Sequence, residues 1–192
     1  MQVVKQDKIS IYISRLNKQS TQKAYAAGLN HFKIFVSKYY PDYTSDTIID
    51  QILITKTVDV YQLLDNFVYY LKQENKDRTP KTISNYIISV KGYLGYFDVE
   101  IADNKFKRRV KLPPILRDDE EAIDVKNVRK LLLKCNIRRL KPIIMILASN
   151  GARIKEVLSL RYKDVNFDVS PTEIHIRKEY SKTRKARKQA YQ

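Results

Sequence analysis

Apolar residues recur at helical spacing through most of the first half of the chain. Tyr25, Leu29, Phe32 and Phe35-Val36 fall three or four positions apart, so a helix is expected from Ser20-Thr21, which can cap it, to about Tyr39. Pro41-Asp42 ends it. A short helix is expected near Asp46–Leu53. A third runs from Val58 to about Glu74, with Val60, Leu63-Leu64, Phe67-Val68 and Leu71 on one face. Asn75–Arg78 is a polar loop. Thr79-Pro80 then opens a fourth helix, because proline suits the first helical turn, and Ile83, Tyr86-Ile87, Val90 and Leu94 supply its stripe. Four short amphipathic helices joined by brief loops make a small helical bundle. Further along, Asp124 can cap a helix to about Cys135. Pro142–Ser149 is strongly apolar and is expected to be buried on most sides, and Asn150-Gly151 breaks it. Arg153–Leu160 reads as another short amphipathic helix. Glu173–Glu179 alternates, with Ile174 and Ile176 on one face, and reads as a strand. Tyr180–Arg187 reads as a turn and Lys188–Gln192 as the start of a return strand. No internal repeat or low-complexity tract interrupts this pattern.

Composition agrees with a mainly α fold. The 192 residues include only 4 glycines and 6 prolines, few for the many tight turns of an all-β fold. Hydrophobic residues make up 43%, enough for a packed core. The formal charge of +16 changes the picture more. A surplus of that size argues for a polyanionic partner, of which nucleic acid is the commonest. No segment approaches the ~20 apolar residues of a spanning helix, and the N-terminus has no apolar signal core. The expectation is a soluble, cytoplasmic protein without a membrane partner. The single Cys135 has no partner for an intramolecular disulfide and reads as a small core residue. Two histidines, His31 and His175, are too few for a histidine-based metal site.

The basic surplus is uneven. Residues 1–100 hold 13 Lys+Arg against 10 Asp+Glu, a net +3, whereas residues 101–192 hold 24 against 11, a net +13. Lys105, Lys107, Arg108, Arg109, Lys111 and Arg117 surround Pro113-Pro114, and the acidic run Asp118–Glu121 follows. This stretch reads as a proline-stiffened basic linker, residues 104–121, between a helical domain at 1–103 and a second domain at 122–192. In the second domain, Arg153 stands just after a glycine break in the first turn of a helix. There it lies beside free backbone N–H groups at the positive end of the helix dipole, a setting that suits a phosphate. Glu156, three residues on, shares its face and can hold its guanidinium. An ordinary surface Arg–Glu pair would read the same way.

The wording of the whole stretch Asn150-Gly-Ala-Arg-Ile-Lys-Glu-Val-Leu-Ser-Leu-Arg-Tyr-Lys-Asp-Val165 resembles the first-arginine motif of the tyrosine recombinases (phage-integrase type). That motif reads Thr/Asn-Gly-small-Arg-Ile-x-Glu-Leu-x-x-Leu-Arg-x-x-Asp-Ile/Val. Gly151, Arg153, Ile154, Glu156, Leu160, Arg161, Asp164 and Val165 fall where it wants them. The family's next feature is a β-hairpin whose turn carries a catalytic lysine. Ser181-Lys-Thr-Arg-Lys-Ala-Arg187 stands just past the predicted strand, so Lys182 is the matching position, with Lys185 and Arg187 behind it. Ser20-Thr-Gln-Lys-Ala-Tyr25 and Thr79-Pro-Lys-Thr-Ile-Ser-Asn-Tyr86 resemble the family's core-binding bundle more weakly, since the shared positions are mostly core.

The resemblance implies a four-helix, SAM-like core-binding bundle followed by a partial α+β catalytic domain with a small β-hairpin. It also implies site-specific recombination or integration of DNA by a mobile element, through a 3′-phosphotyrosyl link and without metal or nucleotide cofactor. The family clamps a duplex, so double-stranded DNA, and possibly other recombinase protomers, are the implied partners. Arg153 would hold the scissile phosphate, Lys182 would protonate the leaving oxygen, and Glu156 would orient Arg153. Phosphate contacts are expected from Lys105, Lys107, Arg108, Arg109, Arg184, Lys185 and Arg187, with Lys81, Asn85 and Lys91 facing a groove from the fourth helix. The family's His-x-x-Arg box and tyrosine come well after the hairpin, past Gln192, so the reading is of a truncated domain that is not catalytic alone. His175-Ile-Arg-Lys178 precedes Lys182 and lies in a predicted strand, so it is no substitute, and Tyr191 has no helical frame. Two alternatives stand beside this: a non-enzymatic DNA-binding regulator or competitor at a recombination site, and an unrelated basic helical protein associated with RNA.

Overall fold

The structure, a computed structural model, describes residues 7–74, 77–115, 122–180 and 187–191. The chain divides into two compact units, Met1–Arg117 and Asp118–Gln192.

The first unit is helical: α1 (Lys8–Ser14), α2 (Gln19–Tyr39), α3 (Thr47–Leu53), α4 (Val60–Glu74), α5 (Pro80–Tyr96) and α6 (Asp103–Arg109). The positions at helical spacing are the ones that meet inside. Leu29, Phe32, Phe35 and Val36 of α2 pack with Leu63, Leu64, Phe67 and Leu71 of α4 and with Ile83, Ile87, Val90 and Leu94 of α5, all buried. Helices α2 and α5 approach closely at Gly28, where a Cβ would collide with Ser89 Oγ and lie 3.0 Å from the backbone of Tyr86. The start of α5 follows its sequence signal: Thr79 is the N-cap, its Oγ1 accepts from the Thr82 amide, and Pro80 fills the first turn. Helix α2 begins a little earlier than the Ser20-Thr21 signal, at Gln19. Its first turn closes on the Lys18 carbonyl, and no side chain caps it.

Two helices join the four that periodicity predicts. In α1, Asp7 caps the Ser10 amide and only Ile9 and Tyr12 are buried, too few for a period to show. Helix α6 occupies the first part of the expected linker. Phe106 and Val110 are the apolar residues of that basic run, and both are buried against the first unit. Asp103 in the first turn and Lys107, Arg108 and Arg109 in the last match the helix dipole. The stretch 103–111 is therefore folded onto the bundle, and the Lys111 amide donates to Asp65 at 2.8 Å. Residues 116–121 lie outside the described residues.

The second unit comprises α7 (Val125–Lys134), α8 (Leu140–Asn150), α9 (Ile154–Leu158), a 3-10 turn (Tyr162–Asp164) and strands β1 (Val165–Asn166), β2 (Thr172–Ile176) and β3 (Arg187–Tyr191). The strands form an antiparallel sheet in the order β1-β2-β3, so the expected hairpin gains a short third strand. Asp124 caps α7 as predicted, accepting from the Asn127 amide at 2.6 Å. Ala152, Val157, Ile174 and Ile176 are buried together, with Ile143, Ile146, Leu147, Leu160 and Val165 packed around them. The strand pattern holds, since Ile174 and Ile176 point inward and His175 outward. Helix α8 is less enclosed than its composition predicts. It packs on α7, α9 and β3, which cover only part of its circumference, and Met145 remains 42% exposed. Cys135 caps the end of α7, half-buried, with its thiol donating to the Ile137 carbonyl. Among the described residues no helix is long and apolar enough to cross a membrane. The protein is mainly helical with one small antiparallel sheet.

Candidate functional site

The polar centre of the second unit is built at the junction of α8 and α9. Gly151 ends α8 in the left-handed conformation, φ 57°, which a glycine adopts without the Cβ penalty. Arg153 follows as the N-cap of α9, one position before the first helical turn in which the sequence places it. The Glu156 side chain is buried and folds back on Arg153 with both oxygens. Oε2 accepts the Arg153 amide at 3.0 Å, and Oε1 accepts Nη1 of its guanidinium at 3.1 Å. The carboxylate therefore caps the helix and orients the arginine at once. The Arg153 side chain stays 51% exposed. One edge of a planar, permanently charged fork is fixed from below while much of the group faces solvent, a geometry suited to an oxyanion. Helix α9 is too short to contribute much dipole, so the charge of the guanidinium carries the attraction.

A second ion pair lies under the following turn. Asp164 is buried, and its Oδ2 accepts the Arg161 amide at 2.9 Å and Arg177 Nη2 at 2.8 Å. Burial works to raise the Asp164 carboxyl, but the Arg161 N–H and the Arg177 guanidinium outweigh it and hold the group below its ordinary range. The guanidinium of Arg177 also lies over the Tyr180 ring, 4.8 Å from its centroid. Asp164 belongs to the motif recognised in the sequence, whereas Arg177 carries no signal there. Its pairing depends on a residue 13 positions away.

The other sequence-predicted residues separate into groups. Lys182, Arg184 and Lys185 lie outside the described residues. Arg187 opens β3, paired with Ile176 of β2. On α5, Lys81 and Asn85 are exposed one turn apart on the same stripe. Lys91 of that helix is instead drawn inward. Its ammonium sits 3.1 Å from Asp103 and 4.1 Å over the Phe106 ring, holding α6 to α5. On α6, Lys105, Lys107 and Arg108 are exposed. Arg109 pairs with Asp59 at 2.8 Å and lies over the Tyr61 ring. His31 and His175 are far apart in role: His31 is half-buried on α2, and His175 is exposed on β2.

No family model matches the chain. The chain is similar to the tyrosine recombinase XerA of Saccharolobus solfataricus, 30% identical over 95 residues, which are 50% of this chain and 30% of that protein. It is also similar to transposase A from transposon Tn554 of Staphylococcus aureus, 28% identical over 139 residues, 69% of this chain and 31% of the relative. The matched stretches thus span 30% and 31% of the two relatives' own lengths. Both likenesses support a recombinase- or integrase-like kinship at that coarse level.

Proposed function

We propose that this chain is a DNA-binding protein of the tyrosine recombinase type, acting in site-specific recombination or integration of double-stranded DNA. The observation that carries the reading is the Arg153 guanidinium, held from beneath by the buried Glu156 and open to solvent on its other side. A solvent-facing arginine fixed by a buried carboxylate has its orientation determined before any ligand arrives. Less side-chain freedom is then lost when a phosphate binds. In the proposed reaction Arg153 holds a nonbridging oxygen of the scissile phosphate, and Lys182 protonates the leaving oxygen. Phosphates elsewhere on the duplex meet Lys105, Lys107 and Arg108 on α6, and Arg184, Lys185 and Arg187 at the β2–β3 connection. Lys81 and Asn85 face a groove. Asparagine presents the amide pair that adenine accepts in the major groove.

Within residues 1–192 the resemblance supplies Arg153 and Lys182 and no matching second arginine, histidine box or tyrosine. Such groups act as a unit. The 192-residue polypeptide by itself is therefore proposed to bind duplex without forming a covalent link.

Fluorescence anisotropy with labelled duplex DNA tests the binding. Wild-type protein should bind and Arg153→Ala should lose about tenfold in affinity, the order expected for one charge-assisted hydrogen bond. Equal affinity of the two proteins would remove Arg153 from the site. A nicked suicide duplex tests the chemistry, and a protein–DNA adduct stable to denaturant would refute the non-catalytic assignment.

A further inference from the structure

Arg177 has no part in the reading above, and its surroundings give it one. It is the first residue beyond β2. Its Nη2 donates to a carboxylate that is itself buried, Asp164 at 2.8 Å, while Nε is buried without a partner among the described residues. Its carbonyl accepts the Tyr180 amide at 3.1 Å, closing a turn, and its guanidinium lies over the Tyr180 ring. At the other end of the pair, Asp164 also takes the Arg161 amide and closes the 3-10 turn that follows α9. Two segments are thus tied together through one carboxylate. One begins at Arg153 and runs through α9 to Asp164. The other leaves β2 toward the connection with β3.

A side chain serving only as internal packing would be expected to satisfy its polar atoms, and an apolar residue of similar size fills such a place at less desolvation cost. A planar cation with one nitrogen left unpaired fixes direction more than it adds stability. The backbone turn at 177–180 is held against the 3-10 turn by a charge pair on one side and a ring on the other.

We propose that Arg177 is a positioning residue: by pinning the exit of β2 to Asp164, it sets where the β2–β3 connection lies relative to the segment that starts at Arg153. The proposal rests on the reading of Lys182 as a phosphate-contacting group, and the experiment separates the two.

The test uses the 192-residue chain, a duplex DNA of random sequence and an amine-reactive label, with modification of each lysine read by mass spectrometry. In the wild type, duplex should protect Lys182, Lys105 and Lys107 from labelling. In Arg177→Lys and in Asp164→Asn, Lys105 and Lys107 should stay protected while Lys182 loses its protection. Arg177→Lys keeps the charge but cannot reproduce the planar fork or its place over Tyr180. If Lys182 is unprotected in the wild type, its assignment as a phosphate contact fails. If it is protected in the wild type and equally in both variants, that assignment stands and Arg177 has no positioning role. Circular dichroism checks each variant. Should both lose helical signal, the pair is structural only, and the proposal is overturned as well. One folded variant with Lys182 deprotected upholds it.

Discussion

The imidazole of His31 shows how a single side chain reports on its surroundings. It stacks on the Tyr86 ring, with centroids 5.2 Å apart, and its Nε2 lies 3.2 Å from Arg78 Nη2. A guanidinium only donates, so Nε2 must accept, and the ring must be neutral with its proton on Nδ1. Burial is the main force lowering its pKa below the ordinary histidine value. The Arg78 charge adds to that, and Glu74 opposes it more weakly. The sign of the pH effect follows from this. A lowered pKa means that the unfolded chain binds more protons than the folded one over the interval between the two values. The stability His31 contributes is complete above the unfolded value and is lost as pH falls through the folded one. The melting temperature of the first unit should therefore drop between pH 7.5 and pH 5 more in the wild type than in His31→Gln, whose amide oxygen still accepts from Arg78 but does not titrate. Identical pH dependence in thermal melts of the two proteins would show that His31 is not coupled to folding.

Two glycines of the bundle test how the helices meet. At Gly28 an added methyl would meet Ser89 Oγ and the Tyr86 backbone, the second at 3.0 Å, and backbone cannot swing aside. Gly28→Ala should cost about 1–3 kcal/mol through overpacking between α2 and α5. Gly95 lies in α5 with nothing within 4 Å of such a methyl, so Gly95→Ala should instead stabilise by about 0.4–1 kcal/mol through helix propensity. Urea denaturation of the two variants should move the midpoint in opposite directions, and a shift of the same sign would contradict the close α2–α5 approach. Periodicity reveals helices in proportion to the number of residues that each buries. Helices α2, α4 and α5 bury five or more each, and their faces were legible. Helix α6 buries only Phe106 and carries charge elsewhere, so its apolar signal was lost among lysines and arginines, although the Asp103-to-Arg109 charge order was available to read. The polar site divides in the same way. Arg153 and Glu156 are three apart on one stretch of chain and show as a motif. The Asp164–Arg177 pair is closed by β2 folding back beside β1, so no local pattern carries it.

At the scale of the molecule, the +16 surplus is less informative than the way it is distributed between paired and open cations. A phosphate approaching Arg109 meets the Asp59 carboxylate 2.8 Å from the guanidinium, and one approaching Lys91 meets Asp103 at 3.1 Å. Each pair presents almost no net charge to a polyanion. Lys105, Lys107 and Arg108 are exposed on α6 without a printed acidic side-chain partner and keep their full attraction. Binding to duplex DNA releases about 0.9 counterion per phosphate neutralised, which fixes the slope of log affinity against log salt. Replacing Lys105, Lys107 and Arg108 one at a time by glutamine should flatten that slope by about 0.9 each. Lys91→Gln and Arg109→Gln should leave the slope nearly unchanged and lower the melting temperature instead, because each loosens the hold of α6 on the bundle. Anisotropy titrations across a salt series distinguish the two classes directly. If all five variants flatten the slope alike, the internal pairs open on binding, and the open cations on α6 lose their privileged role. If none does, the first unit reaches the duplex by another face, leaving Lys81 and Asn85 of α5 as the positions to vary next.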